Sequence, residues 1–134
     1  MRIFLACEDE RLKISMLMLV DSQPGMVVSG ISDRIDDIAQ QLETSQPDVL
    51  VLGWKLPLES MHDLMADIHN LDSSPEVIFL SSSPKEREAI MSAGADYFVV
   101  TNTPPDELLQ ILNDLRRSKK DNQSTDSLKE VNKA

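Results

Sequence analysis

Residues 49–52 read Val-Leu-Val-Leu, a run in which no polar residue interrupts the apolar ones. Such a run is typical of a parallel strand that is buried on both faces of a sheet. Pro47 and Asp48 mark the start of this strand, and the stretch from Gly53 to Pro57 marks a loop after it. Because ligands bind beside the carboxyl ends of strands in open α/β sheets, the sequence predicts that this loop carries functional residues.

Four further apolar runs read as strands and alternate with segments of helical spacing. The predicted strands cover residues 2–7, 26–31, 48–52, 77–80 and 97–100. The predicted helices cover residues 10–21, 59–71 and 84–93, with one more that is capped by Ser32 or Asp33 and one that begins at Asp106. This alternation predicts an α/β fold, a doubly wound five-stranded parallel sheet with the flavodoxin-like strand order 2-1-3-4-5. Ser29 and Gly30 weaken the second strand, which places it at an edge.

The length of 134 residues fits one domain, which we expect over residues 1–117, with a polar tail or linker stub over residues 118–134. Residues 1–117 contain nine Lys and Arg against twenty Asp and Glu, a formal net charge of −11. A surface this acidic repels phosphate backbones, so direct nucleic-acid binding is not expected. The longest apolar run is too short to span a bilayer, so membrane binding is not expected either. The single cysteine, Cys7, predicts a buried thiol in a reducing, cytoplasmic compartment.

The predicted topology brings four loops together at the carboxyl ends of the strands. These loops contribute Glu8 and Asp9, Gly53 to Lys55, Ser81 to Ser83, and Thr101 to Thr103. Two adjacent carboxylates at a strand end repel each other and favour a nearby cation. A divalent ion with oxygen ligands and the ammonium group of Lys55 are both candidates for that cation. A solvated Lys55 side chain is the alternative.

Three segments carry a resemblance to a known family, namely residues 24–28 (PGMVV), 47–52 (PDVLVL) and 94–97 (GADY). Together with the layout of the loops, they resemble the receiver domain of bacterial two-component response regulators over residues 1–117. The likeness is strongest to receivers that precede a LuxR-type helix-turn-helix domain. This resemblance implies a CheY-like fold and a part in signal transduction by phosphorelay, without an enzymatic activity of the chain itself.

The resemblance also implies roles for the residues of the predicted cleft. Glu8 and Asp9 match the acidic pair that holds magnesium in the family, Gly53 falls on the phosphoacceptor aspartate, and Thr101 falls on the lysine that pairs with the phosphoryl charge. Phosphoryl transfer to a receiver needs a carboxylate nucleophile, a metal ion and cations for the developing charge. Gly53 supplies neither nucleophile nor metal ligand, and Thr101 supplies no cation. The resemblance thus implies a degenerate, aspartate-less receiver with no cofactor beyond a weak magnesium site at Glu8 and Asp9.

Three further positions match the family. Pro57 matches the proline of the loop beyond the phosphoacceptor, Ser81 falls on the hydroxyl residue that contacts the phosphoryl group, and Phe98 falls on the aromatic switch position. No histidine or lysine base is evident beside Ser81, so we do not expect its hydroxyl to replace the aspartate. The run from Ser81 to Ser83 also resembles an anion cradle at a helix start, although helix capping is the simpler interpretation.

We therefore expect a pseudo-receiver that acts as a protein-interaction or dimerisation module. In receivers the helices around the fifth strand commonly form the partner or dimer surface. Here that surface runs from Lys85 to Ala93, from Tyr97 to Val100 and from Asp106 to Leu115. Two alternatives remain: a phospho-accepting receiver that uses an unusual residue, and a small-ligand-binding flavodoxin-like domain. The sequence after the first strand, Glu-Asp-Glu-Arg, disfavours the second, because flavin binding requires a loop rich in Ser, Thr and Gly there.

Two smaller features have more than one interpretation. Trp54 can anchor a partner or pack over the adjacent helix. His62 and His69 lie on one predicted helix and can form a metal site, although surface residues are the simpler interpretation.

Overall fold

The computed structural model describes residues 1–101 and 105–118. Its strands are β1 (Arg2–Cys7), β2 (Val27–Ser32), β3 (Val49–Gly53), β4 (Glu76–Ser81) and β5 (Tyr97–Val100). Its helices are α1 (Glu10–Asp21), α2 (Ile38–Ser45), α3 (Leu58–His69), α4 (Arg87–Ala93) and α5 (residues 106–118), with a 3-10 turn over Pro84–Glu86 before α4. The chain divides into a first compact unit, Met1–Asn102, and a second unit that begins at Thr103 and contains α5. The predicted tail lies outside the described residues, except for Ser118 at the end of α5.

The five strands of the first unit are parallel and lie in the order β2-β1-β3-β4-β5. The flavodoxin-like order predicted from the sequence is therefore confirmed, with β3 at the centre and β2 at an edge. Cys7 at the end of β1 lies opposite Gly53 at the end of β3. Ser81 at the end of β4 likewise lies opposite Val100 at the end of β5. The carboxyl ends of these four strands therefore meet along one edge of the sheet.

The residues of the Val-Leu-Val-Leu run are each at most 1% exposed, so β3 is buried on both faces, as the sequence predicts. Burying one aliphatic side chain of this size stabilises a fold by about 1.5–3 kcal/mol. The helix α3 contributes Met61, Met65 and Ile68 to the same core cluster as Leu50 and Leu52. The two methionines pack against the sheet. The apolar spacing from which α3 is predicted places these residues on the one face of the helix that makes this contact.

The helix α2 begins later than the sequence predicts. Its first residue is Ile38, and neither Ser32 nor Asp33 caps it. The hydroxyl of Ser32 instead accepts a hydrogen bond from the main-chain N–H of Arg34 at 3.1 Å and lies 2.8 Å from its carbonyl oxygen. Side-chain hydroxyls that bond nearby backbone in this way compete with helix formation. The predicted start was therefore wrong, whereas the predicted buried face, with Ile38 and Leu42, is confirmed.

The end of α4 is held by a contact from α3. The helix stops at Ala93, and Gly94 caps it with a φ of +120°, a region that side chains rarely adopt. Nε2 of His69 lies 2.8 Å from the carbonyl oxygen of Gly94, so His69 joins α3 to the end of α4. In the described ranges no group of three His, Cys, Asp or Glu side chains is arranged to hold a metal ion. The structural interpretation of His69 is thus favoured over a metal site with His62.

Glu76, the first residue of β4, lies near Asp96 at the amino edge of the sheet. Oδ2 of Asp96 accepts a hydrogen bond from the main-chain N–H of Val77 at 2.8 Å. Partial burial raises the pKa of Glu76, and the charge and hydrogen bond of Asp96 raise it further, while His69 acts weakly in the opposite direction. The folded chain therefore keeps the proton on this carboxyl group up to a higher pH than an unfolded chain does.

We expect Glu76→Gln to raise the free energy of unfolding at pH 7. The pKa of Glu76 in the folded state lies above its ordinary value of 4.5, so the folded state binds more protons in that window. Stability is therefore lost as the pH rises from about 4.5 through the folded-state pKa. Glutamine stays uncharged and keeps a donor for Asp96, so it avoids this loss. The gain should be below about 1 kcal/mol because the pair is partly exposed.

Urea unfolding at pH 4 and pH 7 tests this expectation, with a gain at pH 7 that disappears at pH 4. Glu43→Gln, on the exposed side of α2, is the control for the removal of one negative charge from an acidic chain. Equal gains from both substitutions at pH 7 would attribute the effect to net charge and contradict the assignment to Glu76 and Asp96.

Candidate functional site

A cleft of about 490 Å³ lies at the carboxyl edge of the sheet. Six of the residues that the sequence singles out line it: Glu8, Asp9, Gly53, Lys55, Ser81 and Thr101. Phe98 does not line the cleft and belongs to the core cluster, and Pro57 immediately precedes α3. The structure thus brings the described parts of the predicted loops together, whereas Asn102 and Thr103 of the fourth loop lie outside the described residues. The roles of these residues remain predictions.

Asp9 begins α1. Its Oδ1 accepts hydrogen bonds from the main-chain N–H groups of Arg11 at 2.8 Å and Leu12 at 3.1 Å. This is a helix N-cap, which pairs two of the N–H groups that the first turn leaves without partners. An aspartate immediately before a helical pattern is the sequence signal for such a cap, so this role of Asp9 was predictable from the sequence alone.

Glu8 joins the loop after β1 to the loop after β3. Its main-chain N–H donates to the carbonyl oxygen of Gly53 at 2.9 Å, and its Oε2 accepts from the main-chain N–H of Lys55 at 3.2 Å. The Lys55 side chain is exposed. The ion pair between Lys13 and Glu10, at 2.9 Å, does not involve Lys55. Lys55 therefore contacts Glu8 through its main chain, and among the described residues no ion pair of its ammonium group with Glu8 or Asp9 is found.

The acidic pair offers few remaining ligands for a metal ion. The helix cap uses one carboxylate oxygen of Asp9, and the N–H of Lys55 uses one of Glu8. Magnesium requires near-octahedral oxygen coordination, which proteins usually provide with carboxylates, waters and phosphates. No group of three suitable side chains exists among the described residues. The residues present therefore do not form a complete magnesium site by themselves.

Gly53 is the last residue of β3, and its backbone does not require glycine. Its φ lies outside the left-handed region, unlike that of Gly94. A Cβ at this position would lie 3.1 Å from Cδ2 of Leu12, 3.5 Å from Sγ of Cys7 and 3.7 Å from Cβ of Leu80. Only the flexible end of Leu12 would have to move by a few tenths of an ångström. The fold therefore accepts a Cβ here once the end of Leu12 moves, and the backbone conformation does not explain why this position is a glycine.

The thiol of Cys7 lies beside Gly53 but cannot replace the missing nucleophile. Burial raises the pKa of Cys7 to about 11, and the main-chain hydrogen bond at Gly53 and the charge of Lys13 lower it only in part. Because the thiolate is the nucleophilic form, a thiol that stays protonated at neutral pH is inert. The prediction of a buried Cys7 is confirmed.

Ser81 is buried, and its hydroxyl is engaged by the turn that follows β4. Ser81 Oγ donates to Oε2 of Glu86 at 3.1 Å and accepts from the main-chain N–H of Ser83 at 3.1 Å. The main-chain N–H of Thr101 donates to the carbonyl oxygen of Ser81 at 2.8 Å, which extends the pairing of β4 with β5. Sequence reasoning missed Glu86, because the 3-10 turn that returns it to Ser81 leaves no periodic signal.

Phe98 lies in the core, 2% exposed. Its ring stacks on that of Phe79 with a centroid distance of 6.3 Å and an interplanar angle of 11°. The guanidinium carbon of Arg87 lies 5.1 Å from the centroid of the Phe98 ring. A cation in this position is attracted by the ring, typically by about 0.5–1 kcal/mol at exposed sites.

Trp54 lies next to Gly53 and lines the same cleft. It is partly buried and packs against the core cluster. Of the two interpretations of Trp54, packing is therefore the one that the structure supports.

The model of the response regulator receiver domain family matches residues 4–113. The chain belongs to this family. The matched residues include most of β1, the whole of β2 to β5, and all the residues that line the cleft.

Several solved structures share this fold. The LuxR-family DNA-binding response regulator from Staphylococcus aureus is 19% identical, with a TM-score of 0.71 over 86% of this chain and 98% of that chain. The response regulatory domain of protein mrkE from Klebsiella pneumoniae is 15% identical, with a TM-score of 0.76 over 90% of this chain and 99% of that chain. The receiver domain of a sensor histidine kinase from Pseudomonas aeruginosa, solved with a magnesium ion coordinated in its active site cleft, is 17% identical, with a TM-score of 0.66 over 86% and 96% of the two chains. At these identities the likeness shows a shared receiver fold.

We expect Gly53→Ala to change the free energy of unfolding of this receiver by less than about 1 kcal/mol, because only the end of Leu12 must move. Gly94→Ala is the matched comparison and should lose more than about 1 kcal/mol, since alanine is strained at a φ of +120°. Urea unfolding of both variants is the measurement. A larger loss at Gly53 than at Gly94 would show that the end of β3 needs a glycine for packing.

Proposed function

We propose that this receiver signals without phosphorylation of an aspartate, through the shape of its surface and its contacts with other proteins. The observation that carries the proposal is the end of β3, where Gly53 supplies no carboxylate to the cleft. The route used by the family needs a carboxylate nucleophile at that place. The neighbouring thiol of Cys7 is buried and protonated, so it does not take over the role.

The remaining lining of the cleft supports the same proposal. Thr101 contributes a neutral side chain where the resemblance expects a lysine. Glu8, Asp9 and Glu86 outnumber Lys55 in the lining and give it a net negative charge, which disfavours a phosphoryl group with its own negative charge. A magnesium ion, such as the one in the Pseudomonas aeruginosa receiver, would offset these charges, but Glu8 and Asp9 each have one oxygen engaged in a local hydrogen bond.

The proposed output is contact with a protein partner or with a second copy of the chain. The surface that we propose in the first unit runs from Lys85 to Ala93 and from Tyr97 to Val100. In the second unit, we propose the segment from Asp106 to Leu115 as a partner contact considered by itself. Met91 on α4 is 39% exposed, and it lines a hollow together with Lys85 and Arg87. Methionine and arginine are enriched at interfaces, whereas lysine is depleted there. Within the described residues no helix has the length and apolarity needed to cross a membrane.

A phosphodonor assay tests the missing nucleophile. We expect no covalent phosphoryl adduct on the unsubstituted chain after incubation with acetyl phosphate and magnesium, measured by intact mass spectrometry. Gly53→Asp restores a carboxylate at a position whose backbone accepts a Cβ, so this variant should acquire a labile acyl phosphate. The double variant with Thr101→Lys should label faster, because an ammonium group stabilises the developing charge.

A labile adduct on the unsubstituted chain would overturn the proposal. An acid-stable adduct mapped to Ser81 would instead support a receiver with an unusual acceptor, since a serine phosphate ester survives acid and an acyl phosphate does not. The hydrogen bond from Ser81 to the carboxylate of Glu86 makes Ser81 the residue to examine first.

The proposed surface predicts a selective effect of charge on α4. If the chain self-associates through this surface, Met91→Lys should weaken the dimer at least about tenfold, because a buried ammonium group replaces an apolar contact. Met18→Lys on α1, where the side chain is 68% exposed, is the matched control and should leave association unchanged. Sedimentation velocity over a concentration series measures both. If both substitutions weaken the dimer equally, the dimer contact does not depend specifically on the α4 surface around Met91.

A further inference from the structure

Asp96 lies in the turn between α4 and β5 and makes two hydrogen bonds to the main chain of β4. Its Oδ2 accepts from the N–H of Val77 at 2.8 Å, and its own N–H donates to the Val77 carbonyl oxygen at 3.0 Å. Val77 is buried, so leaving its N–H unpaired would be costly. The pairing of β4 with β5 begins one residue later, with Ile78 opposite Tyr97. Asp96 therefore fixes the place at which β5 joins the sheet.

Glu76 brings a second carboxyl group to this junction. Its main-chain N–H donates to the carbonyl oxygen of Asp48 at 3.0 Å, while the carboxylate of Asp48 accepts the main-chain N–H of Arg2 at 2.7 Å. The side chain of Glu76 forms a hydrogen bond with that of Asp96. Two carboxyl groups can form such a bond only when one of them carries a proton, because a carboxylate has no donor. Since Asp96 also accepts the N–H of Val77, which favours its charged form, Glu76 is the group that carries the proton.

His69 joins this cluster from the end of α3. Its Nε2 lies 2.8 Å from the carbonyl oxygen of Gly94, and because a carbonyl oxygen only accepts, Nε2 carries a hydrogen. The charge of His69 acts on Glu76 in the direction opposite to that of Asp96. Three titratable side chains, from α3, from β4 and from the turn before β5, thus meet at the amino edge of the sheet.

We propose that Glu76 and Asp96 share one proton, and that this proton is a pH-sensitive closure of the junction between the start of β4 and the turn before β5. With the proton in place, the O–H of Glu76 donates to the Asp96 carboxylate and adds a third hydrogen bond to the two at Val77. When the proton passes to water, two carboxylates face each other and repel, and the exposed Glu76 side chain turns to solvent. The junction is thus tight in acid and loose at neutral pH.

The pH window follows from the direction in which the fold changes the proton affinity of Glu76. Burial, as the larger cause, and Asp96 raise the pKa of Glu76 above its ordinary value of 4.5. The third bond is therefore fully present below about pH 4.5 and is lost as the pH rises through the folded-state pKa. The two bonds between Asp96 and Val77 do not need this proton, so the junction loosens without unfolding of the chain. The response is local and lies at the edge of the sheet opposite to the cleft.

A titration of the labelled full chain by nuclear magnetic resonance between pH 4 and pH 8 tests the shared proton. The side-chain carboxyl carbon of Asp96 and the amide of Val77 should both respond at the midpoint of Glu76, because coupled groups titrate as a pair. Over the same window, the hydrogen-exchange protection of the Val77 and Asp96 amides, corrected for the intrinsic rate, should fall at least about threefold.

Three substitutions separate the shared proton from the loss of one acid. Glu76→Gln keeps a donor for the carboxylate of Asp96 and should hold the protection of the two junction amides at its acid value over the whole window. His69→Gln keeps a donor for the carbonyl oxygen of Gly94 without a positive charge, so the midpoint of Glu76 should move to higher pH. Asp63→Asn, on the exposed side of α3, is the matched control and should move that midpoint far less.

A midpoint of Glu76 at or below its ordinary value of 4.5, with no response at Asp96 or Val77, would overturn the proposal. A response of Val77 that persists in Glu76→Gln would assign the titration to another group and would contradict the sharing as well. If His69→Gln does not fold, the comparison of Glu76→Gln with Asp63→Asn decides the question. The titration uses neither a phosphodonor nor a partner, so its outcome is separate from that of the proposed function.

Discussion

The parallel pairing of β1 with β3 determines the geometry of the cleft. Cys7 lies opposite Gly53, and the N–H of Glu8 extends the ladder by one bond to the carbonyl oxygen of Gly53. The buried residues of both strands resist a change of register, because a slip of one residue would reverse the face on which every side chain lies. This pairing therefore places Glu8 beside the loop after β3, where its carboxylate meets the N–H of Lys55. The other contributions to the cleft follow from the same sheet order.

The fold of this receiver and the chemistry of its family are separable. Asp9 caps α1 and Glu8 joins two loops, so the acidic pair has structural contacts that do not depend on a metal ion. Gly53 has an ordinary strand conformation that a Cβ fits once the end of Leu12 moves, and the sheet forms without an aspartate in its place. A chain can therefore lose the nucleophile, keep the sheet and the cleft, and retain a surface for recognition.

Sequence reasoning succeeded where the pattern is set by burial. The apolar runs located the five strands of the first unit to within about one residue. Burial explains the clear pattern of β1, β3 and β4, since a strand buried on both faces tolerates few polar residues, whereas β2 at the edge is partly exposed. It failed where a side chain competes with the helix, as at Ser32, whose hydroxyl binds the backbone of Arg34 and delays α2 until Ile38. It also missed Glu86, because the contact with Ser81 depends on the exact path of a 3-10 turn rather than on periodicity.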